Sequence, residues 1–92
     1  MAVTKILCAC GIGLGTSVVM QMNVDDVLHD LGLTGIEVGH AAVEDLTSES
    51  ADLFVLGQEL LPRAAGLPSE HVVALVNVLD KDELRGRLLA AL

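Results

Sequence analysis

The chain has 92 residues, 52% of them apolar, and its 13 acidic and 5 basic side chains give a formal net charge of −8. This length suits one domain, and the apolar share is sufficient for a packed core. There is no basic cluster, and the only aromatic residue is Phe54. The composition therefore argues against nucleic-acid binding, which needs a positive patch or stacking platforms, and against direct attraction to anionic lipid.

Localisation signals are also missing from the sequence. No apolar stretch reaches the roughly 18 residues of a membrane span, and the N-terminus lacks the basic start and apolar segment of a signal peptide. We therefore predict a single cytoplasmic domain over residues 1–92 with no direct membrane insertion. The spacing of Cys8 and Cys10 matches neither a disulfide framework nor a C-x-x-C site, and four zinc ligands in suitable spacing are absent, so we expect no metal and no cofactor.

The first half of the chain predicts two strands and a helix. Residues 3–8 read as a buried strand, and Thr16 or Ser17 caps a helix that ends at Gly32. The helix has apolar residues at helical spacing on one face: Met20, Val24, Val27, Leu28 and Leu31. Residues 36–40 alternate as a second strand nearer an edge, and residues 44–50 read as a polar loop or a short helical turn.

The second half repeats this alternation. Residues 53–56 predict a third strand closed by Gly57, residues 59–65 a short helix or loop, and residues 71–78 a fourth strand. Asp80 and Glu83 have the spacing of a capping box, with Asp80 as the cap and Glu83 reaching back. The last helix then turns apolar residues to the core: Leu84, Leu88, Leu89 and Leu92.

This order of elements predicts an α/β fold. Short connections between alternating strands and helices imply a four-stranded parallel sheet with right-handed crossovers and helices on both faces. Ligands of such sheets bind beyond the carboxyl ends of the strands. The loop that follows the first strand lies at that edge.

That loop is rich in glycine and opens with a cysteine: Cys10, Gly11, Ile12, Gly13, Leu14, Gly15, Thr16 and Ser17. Glycine lets backbone N–H groups turn inward, and the helix that follows directs its positive end to the same point. Such a field favours a thiolate. A cysteine there can attack a phosphoryl group while the loop neutralises its charge.

Other interpretations of the loop remain. A dinucleotide fingerprint would need glycine at position 16, where Thr16 stands, and a Walker loop would need a Gly-Lys-Ser/Thr sequence. A tight glycine turn beside an inert cysteine is the structural alternative, because buried cysteine is common. Cys8 lies inside the strand and is expected to pack in the core.

A thiol phosphatase closes a similar loop with an arginine six residues after the cysteine. Here that position is Thr16, and neither lysine nor arginine occurs between Lys5 and Arg63. The loop therefore suits holding a phosphoryl group and passing it on more than hydrolysing it. His29, His40 and His71 are expected to be edge or surface residues.

The segment from Lys5 to Ser17, followed by residues 20–24, resembles the IIB component of the bacterial phosphoenolpyruvate-dependent sugar phosphotransferase system. The likeness is greatest to the ascorbate branch, with the galactitol and lactose branches more distant. Residues 51–55 and 76–80 also resemble the third strand and the start of the last helix of that branch. Gln21 and Asn23 stand where relatives often carry lysine.

The resemblance implies a four-stranded parallel sheet and a phosphoryl carrier. It implies that Cys10 accepts a phosphoryl group from a histidine of a IIA partner and passes it to a sugar held by a membrane IIC partner, while the N–H groups of residues 11–17 cradle the phosphate. The protein would then work in the cytoplasm at the inner face of the membrane. Two alternatives are a thiol phosphatase of low activity and a non-enzymatic regulatory module with the same fold.

Overall fold

The computed structural model describes residues 3–10 and 15–92, and for residues 10 and 15–17 it describes the backbone. Four strands form one parallel sheet in the order β2-β1-β3-β4. They are β1 (Lys5–Cys10), β2 (Glu37–Ala42), β3 (Leu53–Gly57) and β4 (Val72–Leu75). The α-helices are α1 (Gly15–Asp30) and α2 (Lys81–Ala91), and the 3-10 segments are Val43–Asp45, Gln58–Ala64 and Ser69–His71. The predicted α/β fold with a parallel sheet is confirmed.

The first face of the sheet packs against both α-helices. Alternate residues of the central strands, such as Ile6 and Val55, are buried there against α1 and α2. The helices contribute a buried stripe: Met20, Val24, Val27 and Leu28 from α1, and Leu84 and Leu88 from α2. Since the same stripe was predicted on α1, the period of its apolar residues identified the buried face correctly.

The opposite face is covered by 3-10 segments. Ala9, Phe54 and Leu56 point to this side and pack with residues of the 43–45 and 58–64 segments, among them Val43 and Leu60. Helical elements therefore flank both faces, but the two α-helices share one of them. Each face has its own apolar cluster, so the sheet is buried on both sides, as parallel sheets require.

Gly32 ends α1 as the sequence predicted. Its φ is +73°, its N–H donates to the carbonyl of His29 at 3.0 Å, and the N–H of Leu33 donates to the carbonyl of Leu28 at 2.9 Å. These two bonds form a Schellman motif, in which a residue with positive φ satisfies the last carbonyls of the helix. The turn directs the chain back toward β2.

Three predictions about the ends of strands were wrong. Strand β1 ends at Cys10 rather than Cys8, β2 ends at Ala42 rather than His40, and β4 ends at Leu75 rather than Val78. Leu89 and Leu92, expected in the core, are exposed at 55% and 41%. Leu89 directly follows the buried Leu88, so it points to another side of α2, and Leu92 is the C-cap residue of that helix. Within the described ranges, no helix has both the length and the apolar character needed to cross a membrane.

Candidate active site

Cys10 is the last residue of β1, one of the two central strands, and lies in register with Ala42 at the end of β2. Helix α1 begins at Gly15, so only residues 11–14 separate the cysteine from the helix. Parallel strands end at the same edge, where ligands of such sheets bind. The backbone thus has the predicted order of strand and helix, with the cysteine at the end of the strand.

The predicted phosphate-binding residues divide into two groups. Gly15, Thr16 and Ser17 form the first turn of α1, so the helix starts one residue before the predicted cap. The first N–H groups of a helix have no partner within it and carry its positive partial charge, which favours an anion. Gly11, Ile12, Gly13 and Leu14 lie outside the described residues.

The structure gives Cys8 an environment unsuited to catalysis. Its side chain is fully buried in the core between the sheet and the α-helices. Burial, with a smaller contribution from the negative charge of Asp25, raises the pKa of the Cys8 thiol to about 12. A thiol with that pKa remains protonated at neutral pH and behaves as a small apolar side chain. The expectation that Cys8 packs in the core is confirmed.

All five basic side chains of the chain are described, and each lies in an ion pair. The pairs are Lys5–Glu37, Arg63–Glu44, Lys81–Asp26, Arg85–Asp30 and Arg87–Glu83. Lys81 and Arg85 connect α2 to α1 at 3.2 and 2.7 Å. Each of these cations therefore already faces a carboxylate.

The turn after β4 is organised by Glu83, in a way that the sequence did not predict. Its carboxylate accepts hydrogen bonds from the N–H groups of Val76 at 2.7 Å and Asn77 at 2.9 Å. These bonds, with Arg87, hold the pKa of Glu83 below its ordinary value. They also direct the chain out of the strand, which explains why β4 ends at Leu75.

The capping box at α2 was therefore half right. The carboxylate of Asp80 accepts from the N–H groups of Asp82 and Glu83 at 3.0 and 3.1 Å, as a helix cap does. Glu83 does not reach back to the N–H of Asp80, which donates to the carbonyl of Asn77 instead. The sequence spacing of Asp80 and Glu83 was enough to identify Asp80 as the helix cap. The hydrogen-bond partners of Glu83 depend instead on where β4 ends.

Gln21, one of the two departures from the expected lysines, connects α1 to the edge strand. Its Nε2 donates to the carbonyl oxygen of Val38 at 3.1 Å, and its Oε1 lies 2.6 Å from Nδ1 of His40. His40 is exposed on β2, as expected for an edge residue. A lysine at position 21 has no acceptor for the histidine, so this connection is specific to the amide.

Several large apolar side chains are exposed around the carboxyl edge. Val76 and Leu79, in the turn after β4, are 64% and 59% exposed. Val18 and Val19, in the first turns of α1, are also exposed, and Met22 follows at 61%. Both segments adjoin the carboxyl edge of the sheet, one after β4 and the other at the start of α1.

Comparison with known proteins identifies the family. Residues 5–88 match the model of the family described as "PTS system, Lactose/Cellobiose specific IIB subunit". The chain belongs to this IIB family. The family resemblance predicted from the sequence around Cys10 is therefore confirmed. The chain is a component of the phosphotransferase system.

Individual relatives agree with this family. The IIB chain is 26% identical to an ascorbate-specific PTS system EIIB component of Mycoplasma pneumoniae, over 90% of this chain and 88% of the relative. It is 32% identical to mannitol-specific EIICBA components of Klebsiella pneumoniae and Escherichia coli K12, over 97% of this chain. The chain spans only 14% of the length of these two mannitol proteins.

Metal-binding geometry does not occur in the part of the IIB chain that the structure describes. No group of three or more His, Cys, Asp or Glu side chains there could hold a metal ion. The residues at the carboxyl edge instead offer a cysteine, a helix N-terminus and apolar side chains. This set suits a covalently held anion and contact with another protein.

Proposed function

We propose that this IIB subunit carries a phosphoryl group on Cys10, from a phosphohistidine of a IIA protein to a sugar bound by a membrane IIC protein. The observation that carries the proposal is the backbone geometry at the end of β1, where Cys10 is the last residue and α1 begins at Gly15. Family membership supports the reaction class.

In the first transfer, the thiolate of Cys10 attacks the phosphorus atom of the phosphohistidine. The S–P bond forms as the N–P bond breaks, and the imidazole keeps the electron pair of the broken bond. The N–H groups of residues 11–17 hold the phosphoryl oxygens, and the hydroxyl groups of Thr16 and Ser17 add donors. Positioning and fixed dipoles supply the catalysis.

In the second transfer, a hydroxyl oxygen of the sugar attacks the phosphocysteine. The O–P bond forms, the S–P bond breaks, and Cys10 leaves as a thiolate. The hydroxyl proton passes to a base on the acceptor side. A field that stabilises the thiolate makes it a better leaving group here, so the same feature assists both steps.

The charge distribution favours a carrier over a phosphatase. Hydrolysis of a phosphate ester on a cysteine loop uses an arginine clamp and an acid that protonates the leaving alcohol. Each basic side chain of this subunit is engaged by a carboxylate, and Arg63 faces Glu44. A transfer between two partner proteins needs neither group, since donor and acceptor arrive with their own catalytic residues.

The exposed apolar side chains supply a docking surface for those partners. Val76, Leu79 and Met22 present exposed apolar area in the segments that follow β4 and β1, on the side of the sheet from which a partner must approach to reach Cys10. Apolar contacts of this kind bind without requiring complementary charge. The names of the relatives support an ascorbate-like sugar or a polyol as acceptor. The subunit would work in the cytoplasm, beside the membrane IIC protein.

The experiment that tests the proposal uses labelled phosphoenolpyruvate, the general donor enzymes and a IIA protein. The native subunit should take up label in a linkage with the stability of a phosphothiol, and Cys10→Ser should lose it. Cys8→Ser is the matched control, because it makes the same replacement of sulfur by oxygen two residues earlier. This variant should keep the label. Label retained in Cys10→Ser and lost in Cys8→Ser would contradict the proposal.

A further inference from the structure

We propose that two copies of this chain associate through the outer edge of β4, with the two β4 strands antiparallel about a twofold axis. The result is one continuous eight-stranded sheet. The observations behind this are the difference between the two edges of the sheet, a pair of grooves that flank β4, and the placement of two opposite charges at the ends of that strand.

The two edge strands, β2 and β4, differ in how well they are protected against pairing with another strand. At β2, the N–H of Glu37 donates to the carbonyl of Thr4, so the next carbonyl, that of Val38, points away from the sheet. The side chain of Gln21 binds this carbonyl at 3.1 Å. Together with the charge of Glu37 and the histidine His40 on the strand itself, this protects the β2 edge against pairing.

The outer edge of β4 lacks such protection. Its four residues, Val72 to Leu75, include no charge, no proline and no glycine. Among the described residues, only β3 pairs with it. Alternate residues of an edge strand leave their N–H and C=O groups unpaired, and an apolar strand in that position is a template for another strand.

Grooves lie on both sides of this edge. One groove of about 260 Å³ is bounded by β4 and by Arg87, Ala90 and Ala91 of α2. The other, of about 360 Å³, is bounded by β4 and by apolar residues that include Leu61 and Leu67. Val72 and Ala74 line both grooves, so the two meet at β4. An added strand would place its alternate side chains in one groove and then the other.

Charge selects a second copy as the occupant. Glu70 lines the groove beside α2 two residues before β4 begins. Arg87 lines the same groove near the other end, since its Nε lies 3.0 Å from the Glu83 oxygen that accepts from the N–H of Val76. An antiparallel partner reverses the ends of its strand. Each Glu70 then approaches the partner copy's arginine at position 87, which keeps its contact with Glu83 and so lies between two carboxylates. Two identical charge clusters result, as a twofold interface requires.

This arrangement leaves the proposed phosphoryl-transfer function accessible. Because the strands run in opposite directions across the axis, the carboxyl edges of the two sheets lie at opposite ends of the dimer. In each copy the end of β1 lies outside the dimer interface. Since β4 is only four residues long, we expect a weak dimer that forms at high protein concentration, ~0.1–1 mM.

Sedimentation equilibrium of the complete chain tests the proposal. The mass should rise from 9.6 kDa toward twice that value with concentration, and amide exchange at residues 72–75 should slow in parallel. Glu70→Arg should weaken association about tenfold or more, because arginine then faces Arg87 across the axis. The reversed pair, Glu70→Arg with Arg87→Glu, should restore association relative to either single variant.

Asp25→Arg is the matched control for net charge. Asp25 is exposed on α1, which packs against β1 and β2, away from β4. It should not weaken association. A monomeric mass up to about 1 mM, a dimer without slower exchange at residues 72–75, or a reversed pair that unfolds at the same urea concentration as the native chain and yet stays monomeric would each overturn the proposal. None of these results bears on phosphoryl transfer, which the label experiment measures separately.

Discussion

Gln21 fixes the protonated nitrogen of His40. Because Nε2 of Gln21 donates to the carbonyl of Val38, its Oε1 can only accept, and Nδ1 of His40 at 2.6 Å must carry the hydrogen. In the neutral ring, the nitrogen without a hydrogen is therefore Nε2. One amide side chain thus orients a histidine and covers a carbonyl of the edge strand, and both contacts join α1 to β2.

Removing this amide should destabilise the fold. We expect Gln21→Ala to lower the free energy of unfolding by about 1 kcal/mol, because two hydrogen bonds are lost and one carbonyl is left without its partner. Urea denaturation measures the change. Gln58→Ala is the control, since Gln58 is an exposed residue that begins the 58–64 segment. Equal stability of the two variants would show that the contacts of Gln21 contribute nothing.

The two cysteines should differ in reactivity. In the folded chain, iodoacetamide should modify Cys10 and leave Cys8 intact, because the Cys8 thiol is buried and its pKa is about 12. In urea both should react. Mass spectrometry of peptides after timed alkylation gives the two rates. Modification of Cys8 at the rate of Cys10 in the folded chain would contradict this prediction.

The reactivity of Cys10 should also depend on pH in a particular way. We predict that its thiol titrates below the ordinary cysteine value of about 8.5, because the N-terminus of α1 and the loop N–H groups favour the thiolate. Alkylation rate against pH in the Cys8→Ala variant isolates this group. An ordinary titration would mean that the loop is not arranged to bind an anion.

Acid should weaken the fold partly through Asp52. Its carboxylate accepts from the N–H of Thr4 at 2.8 Å, from the hydroxyl of Thr4 at 2.9 Å and from the N–H of Lys5 at 3.1 Å. These bonds hold its pKa below the ordinary value of 3.8. A lowered pKa contributes stability that is complete above the ordinary value and is lost as pH falls through the folded value.

The corresponding variant should therefore respond less to acid. Asp52→Asn should be less stable than the native chain at pH 7, and the difference should shrink at about pH 3 or below. Urea denaturation at the two pH values measures both effects. Asp45→Asn, at an exposed carboxylate of the 43–45 segment, is the control. A difference that grows on acidification would refute the assigned role of Asp52.

The subunit should be a poor phosphatase. We predict negligible turnover of an aryl phosphate together with rapid exchange of label with a phosphorylated IIA protein, because no basic side chain is free to clamp a phosphate ester. Cys8→Ser and Cys10→Ser serve as controls for the role of each thiol. Aryl phosphate hydrolysis that depends on Cys10, with no label accepted from IIA, would support the phosphatase instead.

Docking should depend on the exposed apolar side chains at the carboxyl edge of the sheet. Leu79→Ser should slow label uptake from IIA several-fold by raising the half-saturating IIA concentration, because Leu79 is 59% exposed in the turn after β4. Leu89→Ser removes an equally exposed leucine, at 55%, from the far end of α2. Its uptake should stay unchanged. Equal effects of the two variants would exclude a specific role for this turn.

Several features of this protein could be determined from the sequence alone. The parallel order of elements, the buried stripe of α1, the end of that helix at Gly32 and the cap at Asp80 all follow from local patterns, because each depends on the spacing of nearby residues. The same is true of the distinction between Cys8 inside a strand and Cys10 before a glycine loop. That distinction, with the loop itself, was enough to indicate the family.

Other features were decided only by tertiary structure. The pairing of Gln21 with His40, and of Asp52 with Thr4, joins residues far apart in the chain, and sequence spacing cannot predict such contacts. Glu83 binds Val76 and Asn77 rather than its expected partner because β4 and α2 meet there, and this ends the strand early. Leu89 has been assigned to the core from its sequence, yet it is exposed, because the buried face of α2 is the one that carries Leu84 and Leu88. Local sequence patterns predict on which face of a helix or strand a side chain lies. The residues that it contacts depend on which elements pack together.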